Sequence, residues 1–329
     1  MEIRKIQLPK DIDPLVEVSL ASFQYPDNPE WSVDPGEAEE LRDQVKAIKR
    51  YWPLLRVGML FSSTLRHLFQ GYVCYENGRM VGTIMFQQRG GKTPIYYINN
   101  VAVHPDSRRK GIARKLVETT LAEMRSQGSC VILLDVIDGN IPAYRLYESL
   151  GWEHFSGTVH LLLGADQTVS PAEKDAAYEL KDLPGSDWET HYRFIDSITP
   201  EAVRKYNPVN AADFKGNLLM NFLETLTGSK TQKTALIHQE TGEVVGFIVY
   251  NYRTRTGGTN HARIMVDPAH SPAIPLMFDT VAARLKSLAP GRRLNMSASA
   301  WQPDVITCAL EKGFTKRYEY HSMGMIHQA

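Results

Sequence analysis

The stretch of this chain best equipped for chemistry runs from Val101 to Arg114. It reads Val101-Ala102-Val103-His104-Pro105-Asp106-Ser107, then three cations, Arg108, Arg109 and Lys110, then Gly111-Ile112-Ala113-Arg114. An apolar run that stops at a proline predicts the end of a strand. Apolar residues at 112, 116, 117, 121 and 124 predict a helix over 111–127. The cations therefore fall in the short turn between strand and helix. The first turn of a helix leaves backbone N–H groups unpaired and carries the positive end of the helix dipole. A glycine there lets a phosphate approach the main chain, and Arg and Lys add full charge. The plainer reading is a solvated basic turn. Basic side chains at a helix start oppose the dipole, however, which is mildly costly without an anion.

The elements that must position this turn occur twice. Residues 72–90 and 234–253 each read as a hairpin, with Asn-Gly or Thr-Gly at the turn and Val-Gly in the second strand. The second-strand glycines, Gly82 and Gly246, lie 164 residues apart. The strand-ending prolines, Pro105 and Pro268, lie 163 apart, and Gly151 and Gly313, each before an aromatic residue, lie 162 apart. Leu8-Pro9 and Leu183-Pro184 mark the two starts, 175 apart, so the first copy is about a dozen residues longer near its beginning. Four landmarks in one order predict a duplicated domain. In the first copy, strands are expected at 3–8, 70–76, 80–89, 95–103, 130–136 and 152–163, with helices around 11–23, 36–66, 111–127 and 141–150. Residues 164–177 lack periodicity and read as the linker. The expected division is residues 1–168 and 169–329.

Composition sets the class. The 329 residues are 43% hydrophobic and 22% charged, with 37 basic against 37 acidic side chains. That is ordinary for a soluble globular protein of about two domains. No global basic excess argues for nucleic acid or a membrane surface. No apolar run approaches the ~18 residues of a bilayer span, and the charged start MEIRKIQLPKD is not a signal peptide. Cys74, Cys130 and Cys308 are too few and too scattered for a disulfide framework or a metal site. The expectation is a cytoplasmic protein, monomer or homodimer, with a small-molecule partner and no metal.

Two motifs together resemble the GNAT superfamily of GCN5-related N-acetyltransferases. That family follows a Val-x-Pro strand end with Arg/Gln-x-x-Gly-x-Gly/Ala, here Arg108-x-x-Gly111-x-Ala113. Its second motif, Asn-x-x-Ala-x-x-Leu-Tyr-x-x-x-Gly-Phe, stands here from Asn140 through Ala143, Leu146, Tyr147 and Gly151 to Trp152. The resemblance covers residues 1–163 in order, and 178–327 in pattern only. It implies an α/β (α+β) chain of two tandem GNAT folds, each a mixed, mostly antiparallel twisted sheet flanked by helices. It implies acetyl-CoA as acyl donor and a primary amine as acceptor, which attacks the thioester directly. Val101, Ala102 and Val103 would hold pantetheine through their main chain, in a wedge between the fourth and fifth strands. Arg108, Arg109, Lys110, Gly111, Ile112, Ala113 and Arg114 would cradle the pyrophosphate. Asn140 caps its helix, and with Ala143 it would also face pantetheine. Tyr147 would protonate the departing thiolate.

No general base is legible: the fourth strand, Tyr96-Tyr97-Ile98-Asn99-Asn100, has no carboxylate, and His104 and His154 are lone histidines. The early segment 24–69 carries Tyr25, Trp31, Tyr51, Trp52, Phe61 and Phe69 with Glu37, Glu39 and Glu40, a composition suited to a cationic amine or to an amphipathic helix. Other readings are a protein or peptide N-acetyltransferase and a non-catalytic acyl-CoA-binding regulator. The second copy has Ala269-His270-Ser271-Pro272 where the first has its cations, and Ala309-Leu310 where the first has Leu146-Tyr147. It is expected to keep the fold and to have lost the donor site.

Overall fold

The alternating apolar runs fold as the strands they predict. A computed structural model describes residues 1–33, 35–53, 56, 70–89, 93–167, 175–215, 229–253 and 259–329. One unit comprises Met1–Phe155 together with Ser322–Ala329, the other Ser156–His321.

In the first unit the order is β1 (Glu2–Lys5), α1 (Ile12–Ser22), α2 (Pro35–Arg50), β2 (Gln70–Glu76), β3 (Arg79–Arg89), β4 (Ile95–Val103), α3 (Ile112–Ser126), β5 (Cys130–Ile137) and α4 (Ile141–Ser149). β1 to β4 pair antiparallel in sequence order, and β5 joins β4 in parallel. One face of the sheet buries Ile84, Phe86, Tyr96 and Ile132 under the apolar stripe of α3, which is Ile112, Leu116, Leu121 and Met124. The other face buries Val73, Met80 and Ala102 under Leu15 and Val18 of α1. The helix expected over 36–66 is seen to Arg50; Phe61, Phe69 and the side chains of Glu37 and Glu40 lie outside the described residues.

The second unit repeats the plan with β7 (Tyr178–Asp182), α5 (Trp188–Ile198), the short turns α6 (Glu201–Arg204) and α7 (Ala211–Phe214), β8 (Ser229–His238), β9 (Val244–Arg253), β10 (Asn260–Val266), α8 (Ile274–Leu288), β11 (Leu294–Ser299) and α9 (Pro303–Glu311). The landmarks of the repeat have physical causes. A Cβ on Gly82 would come 2.9 Å from Ile112 of α3, and one on Gly246 would come 3.1 Å from Met277 of α8. Both glycines let the following helix lie close to the sheet. Gly151 and Gly313 take positive φ, 101° and 86°, just after α4 and α9, where the left-handed conformation ends a helix.

The final strands depart from the expected division at 168. β6 (Glu153–Leu163) pairs with β11, from Leu163↔Leu294 to Thr158↔Ser299, so the end of the first copy serves the second unit. Its inward residues Val159, Leu161 and Leu163 are buried in that unit's core. The last strand, β12 (Thr315–His327), gives its end to the first unit beside β5. There Met323 and Met325 join Leu134 and Val136 in the core, and the Ala329 N–H donates to Ser129 Oγ at 2.9 Å. Hydrogen-bonding edges and apolar alternation decide this, and neither follows the order of the repeat.

Candidate active site

β4 and β5 pair only from Ile95↔Val131 to Ile98↔Leu134. An irregularity explains the parting. Met85 of β3 faces Asn100 and Phe86 faces Ile98, so Asn99 is an extra residue on β4. Such a bulge bends its strand and increases the local twist. Beyond it β4 keeps β3 alone as a paired neighbour. The His104 N–H donates to the Val81 carbonyl at 2.9 Å. Bonded and non-bonded positions alternate along an antiparallel ladder. Ala102 is therefore bonded to β3, whereas Val101 and Val103 turn their N–H and C=O groups to the open side. Ala102 stays apart from the others: its side chain is buried on the α1 face.

The turn after β4 is tightly specified. Pro105–Ser107 forms one 3₁₀ turn, capped by His104 Nδ1, which accepts from the Asp106 N–H at 3.3 Å. Arg109 and Gly111 then take left-handed φ of 63° and 74°. The backbone N–H groups from Arg109 to Arg114 have no partner among the described residues. Six donors thus surround the start of α3, the layout that receives a phosphate. The cations divide their work. Arg108 donates to the carbonyls of Ser22, at 2.8 Å, and Val103, at 3.4 Å, and so ties the turn to α1 and β4. Lys110 lies 3.7 Å from Glu76. Arg114 donates to Ser149 Oγ at 2.9 Å and lies 3.6 Å from Glu118. Arg109 is exposed and, among the described residues, has no such partner.

Behind the parting strands, α4 begins at Asn140, whose Oδ1 accepts from the Ala143 N–H at 3.3 Å, the cap its position predicts. One turn on, Tyr147 is 6% exposed and packs in the cluster that also holds Ile112, Val101, Val103 and Ala143. Its ring meets Trp152 edge-on at 5.8 Å, and the Trp152 indole is fixed by the Ile132 carbonyl at 3.0 Å. Burial, with nearby Tyr25 adding to it, pushes the Tyr147 hydroxyl well above the usual tyrosine range. The phenol therefore stays protonated at neutral pH.

The segment after α1 reaches the same place. The Tyr25 N–H donates to Ser32 Oγ at 2.8 Å, and the Tyr25 ring meets Trp31 edge-on at 5.6 Å. Trp31 lies against Gly139, where a Cβ would come within 2.9 Å of its ring. Tyr51 is half exposed, and Arg50 stacks on it at 5.8 Å.

A carboxylate missed in the sequence stands at the fork. Asp135 follows Leu134, the last residue of β5 that pairs with β4. Tyr97 Oη donates to its Oδ2, and Ser322 Oγ donates to its Oδ1 at 2.6 Å. Local sequence does not mark it, because Asp135 belongs to β5 and one of its partners comes from the far end of the chain. His104, by contrast, is held by Asp106 and by Arg79, which lies 3.0 Å from Nε2. Among the described residues no group of three or more His, Cys, Asp or Glu side chains could hold a metal.

The second unit opens in the same way and then closes itself. β10 and β11 pair only from Asn260↔Leu294 to Ala262↔Met296. The Asp267 N–H donates to the Val245 carbonyl at 2.8 Å, so Val266 turns its main chain to the open side, as Val103 does. There Gln302, 4% exposed, takes both groups: its Nε2 donates to the Val266 carbonyl at 2.6 Å, and its Oε1 accepts the Val266 N–H at 3.4 Å. The turn that follows is the 3₁₀ stretch Pro268–Ala273, which contains Pro272.

A model of the acetyltransferase (GNAT) family matches residues 30–152. A [ribosomal protein bS18]-alanine N-acetyltransferase of Escherichia coli strain K12 is 30% identical over 92 residues, which is 28% of this chain and 60% of that one. The chain thus spans 60% of the length of the curated relatives it matches. Among solved structures, a tandem GNAT protein from the clavulanic acid biosynthesis pathway aligns with a TM-score of 0.64 at 13% identity, covering 99% of this chain and 98% of that one. A GCN5-related N-acetyltransferase from Sphaerobacter thermophilus aligns with a TM-score of 0.67 at 14% identity, covering 99% and 96%. Residues 30–152 thus match the acetyltransferase (GNAT) family in sequence, and over both units the fold is similar to that of tandem GNAT structures.

Proposed function

We propose that the first unit transfers an acetyl group from acetyl-CoA to a primary amine, by direct attack on the thioester. The observation that carries this is the parting of β4 from β5 beside a turn of six unpartnered N–H groups. Acetyl-CoA, when bound, supplies the thioester. The N–H groups of residues 109–114, with the Arg109 charge, hold its pyrophosphate. Val101 and Val103 present main-chain groups to pantetheine, and the Val101 N–H polarises the thioester carbonyl as charge develops on its oxygen. Asp135 takes the proton that an ammonium acceptor must lose before its nitrogen can attack; the second proton, lost as the amide forms, balances the one that Tyr147 gives up. Tyr97 and Ser322 hold Asp135 in position. Tyr147 gives a proton to the sulfur as the C–S bond breaks.

The acceptor is read as a small-molecule amine, approaching beneath Tyr25 and Trp31. One observation favours a second acceptor, the α-amine of a protein: the 30% identical relative is named for acetylating a ribosomal protein's alanine. Release of free CoA thiol, measured with acetyl-CoA against a panel of small amines and of short peptides with free N-termini, tests both. Turnover on the amines alone supports the first acceptor, and turnover on the peptides alone the second. Acetyl-CoA binding without turnover on either panel favours a non-catalytic acyl-CoA-binding regulator.

A further inference from the structure

The second unit carries two cations that no carboxylate neutralises among the described residues. In the sheet register Val249 of β9 is the direct partner of Lys233 on β8 and of Arg263 on β10. Direct partners in an antiparallel pair share a face, so Lys233, Val249 and Arg263 form one row across three strands. Their outer members lie two strand spacings apart, about 9.5 Å at Cα. That is close enough for two long side chains to converge on one small group. The next row on the same face is Ala235, Phe247 and Met265, and Phe194 of α5 packs over it. The cationic row therefore begins where the apolar cover of α5 stops.

Three further observations describe the surroundings of this row. Arg263 donates to Ser299 Oγ at 3.0 Å, and Ser299 is itself buried. No carboxylate pairs with Arg263 or Lys233 among the described residues, and burial lowers the pKa of both. His191 is 7% exposed, its ring lies 4.6 Å from Phe247, and neither ring nitrogen has a hydrogen-bond partner among the described residues. Burial, with Lys233 and Arg263 adding to it, brings His191 down to about 4, so both cations lie near a neutral ring that can still donate one N–H. The first unit has no such charge. Its corresponding row is Gly71, Met85 and Asn100. Two like charges drawn partly out of water without a counter-charge cost stability, and an anion between them removes that cost.

We infer that the second unit binds a small oxyanion, the phosphate or carboxylate group of a soluble metabolite, between Lys233 and Arg263. Thermal unfolding of the full chain tests this, with inorganic phosphate and citrate as the two probes and potassium chloride at matched ionic strength as reference. A ligand that binds only the folded state raises Tm with its concentration. The expected result is a rise of a few degrees with one probe or both. The rise should be lost in Arg263→Gln and in Lys233→Gln, and retained in Gly111→Glu, which blocks the first unit's turn instead. A response to phosphate alone identifies a phosphate group, and a response to citrate alone a carboxylate. In chloride alone both glutamine variants should be at least as stable as the parent, because each removes an uncompensated charge. The inference is overturned by no rise with either probe, by a rise that survives both substitutions, by a rise abolished in Gly111→Glu, or by glutamine variants less stable in chloride.

Discussion

Tyr147 and Asp135 bracket the proposed chemistry from opposite ends of the proton account. Tyr147 must be protonated to act as an acid, and burial favours that form. Tyr147→Phe should lower kcat about a hundredfold and leave acetyl-CoA affinity near its parent value, measured by initial rates and by calorimetry. In the parent, the alkaline loss of kcat that belongs to this hydroxyl should fall above the usual tyrosine range. An unchanged kcat in Tyr147→Phe would remove it from the mechanism. Asp135→Asn should lower kcat/KM for the amine by a similar factor at neutral pH. The deficit should shrink as pH rises, because an amine already deprotonated in solution needs no base. A deficit independent of pH would assign Asp135 to holding the acceptor. Tyr97→Phe and Ser322→Ala should each give a smaller deficit of the same pH shape, as expected of groups that position a base.

At the scale of the element, a bulge and a turn create the proposed donor site. Asn99 costs the sheet its pairing between β4 and β5, and the open edge is the return. The turn at the head of α3 needs left-handed backbone at Gly111, where a Cβ would meet nothing within 4 Å. Gly111→Glu therefore finds room for its side chain, strains the backbone, and sets a negative charge before the six donors. Acetyl-CoA affinity should fall at least tenfold, about 1.4 kcal/mol. Circular dichroism should stay native, since the residue is exposed. A native-like titration would move the phosphate elsewhere. Arg108 shows why charge alone was a poor guide here: its guanidinium is taken by main-chain carbonyls of α1 and β4, while the exposed Arg109 keeps its charge available.

The two units have parted by what fills their forks. Gln302 offers Val266 an amide donor and an amide acceptor, the same pair of bonds that a pantetheine amide would make. Calorimetry on the full chain should accordingly report one acetyl-CoA per chain, and a stoichiometry of two would show that the second fork opens. A fragment beginning near residue 170 would be an unfair test, because it lacks the strand β6 that pairs with β11. The last strand carries a stronger expectation. Truncation after His321 removes Met323, 0% exposed, and Met325, 6% exposed, from the first unit's core, and Ser322 from Asp135. Losing two buried methionines should cost several kcal/mol, read as a lower Tm with acetyl-transfer lost in parallel. Full activity in the truncated chain would separate the last strand from the site.

The duplication, the strands and helices of each copy, the glycine-headed turn before α3, the Asn140 cap and the two motifs were legible in the residues, because each depends on neighbours within one or two turns of chain. Hydrophobic period, a glycine with positive φ and a capping side chain are local physics. Asp135 at the fork was not legible, since a carboxylate on β5 becomes notable only where β4 leaves it, and Ser322 reaches it from 187 residues away. The commitment of Arg108 to Ser22, the bonding of Ala102 to β3 and the closing of the second fork by Gln302 were likewise decided in three dimensions. So was the exchange of final strands, because a sheet edge pairs with whichever strand the fold brings to it. Local sequence settled which elements form and where the turn before α3 lies. The tertiary structure decided which side chains remain free to act, because that depends on what each has already found as a partner.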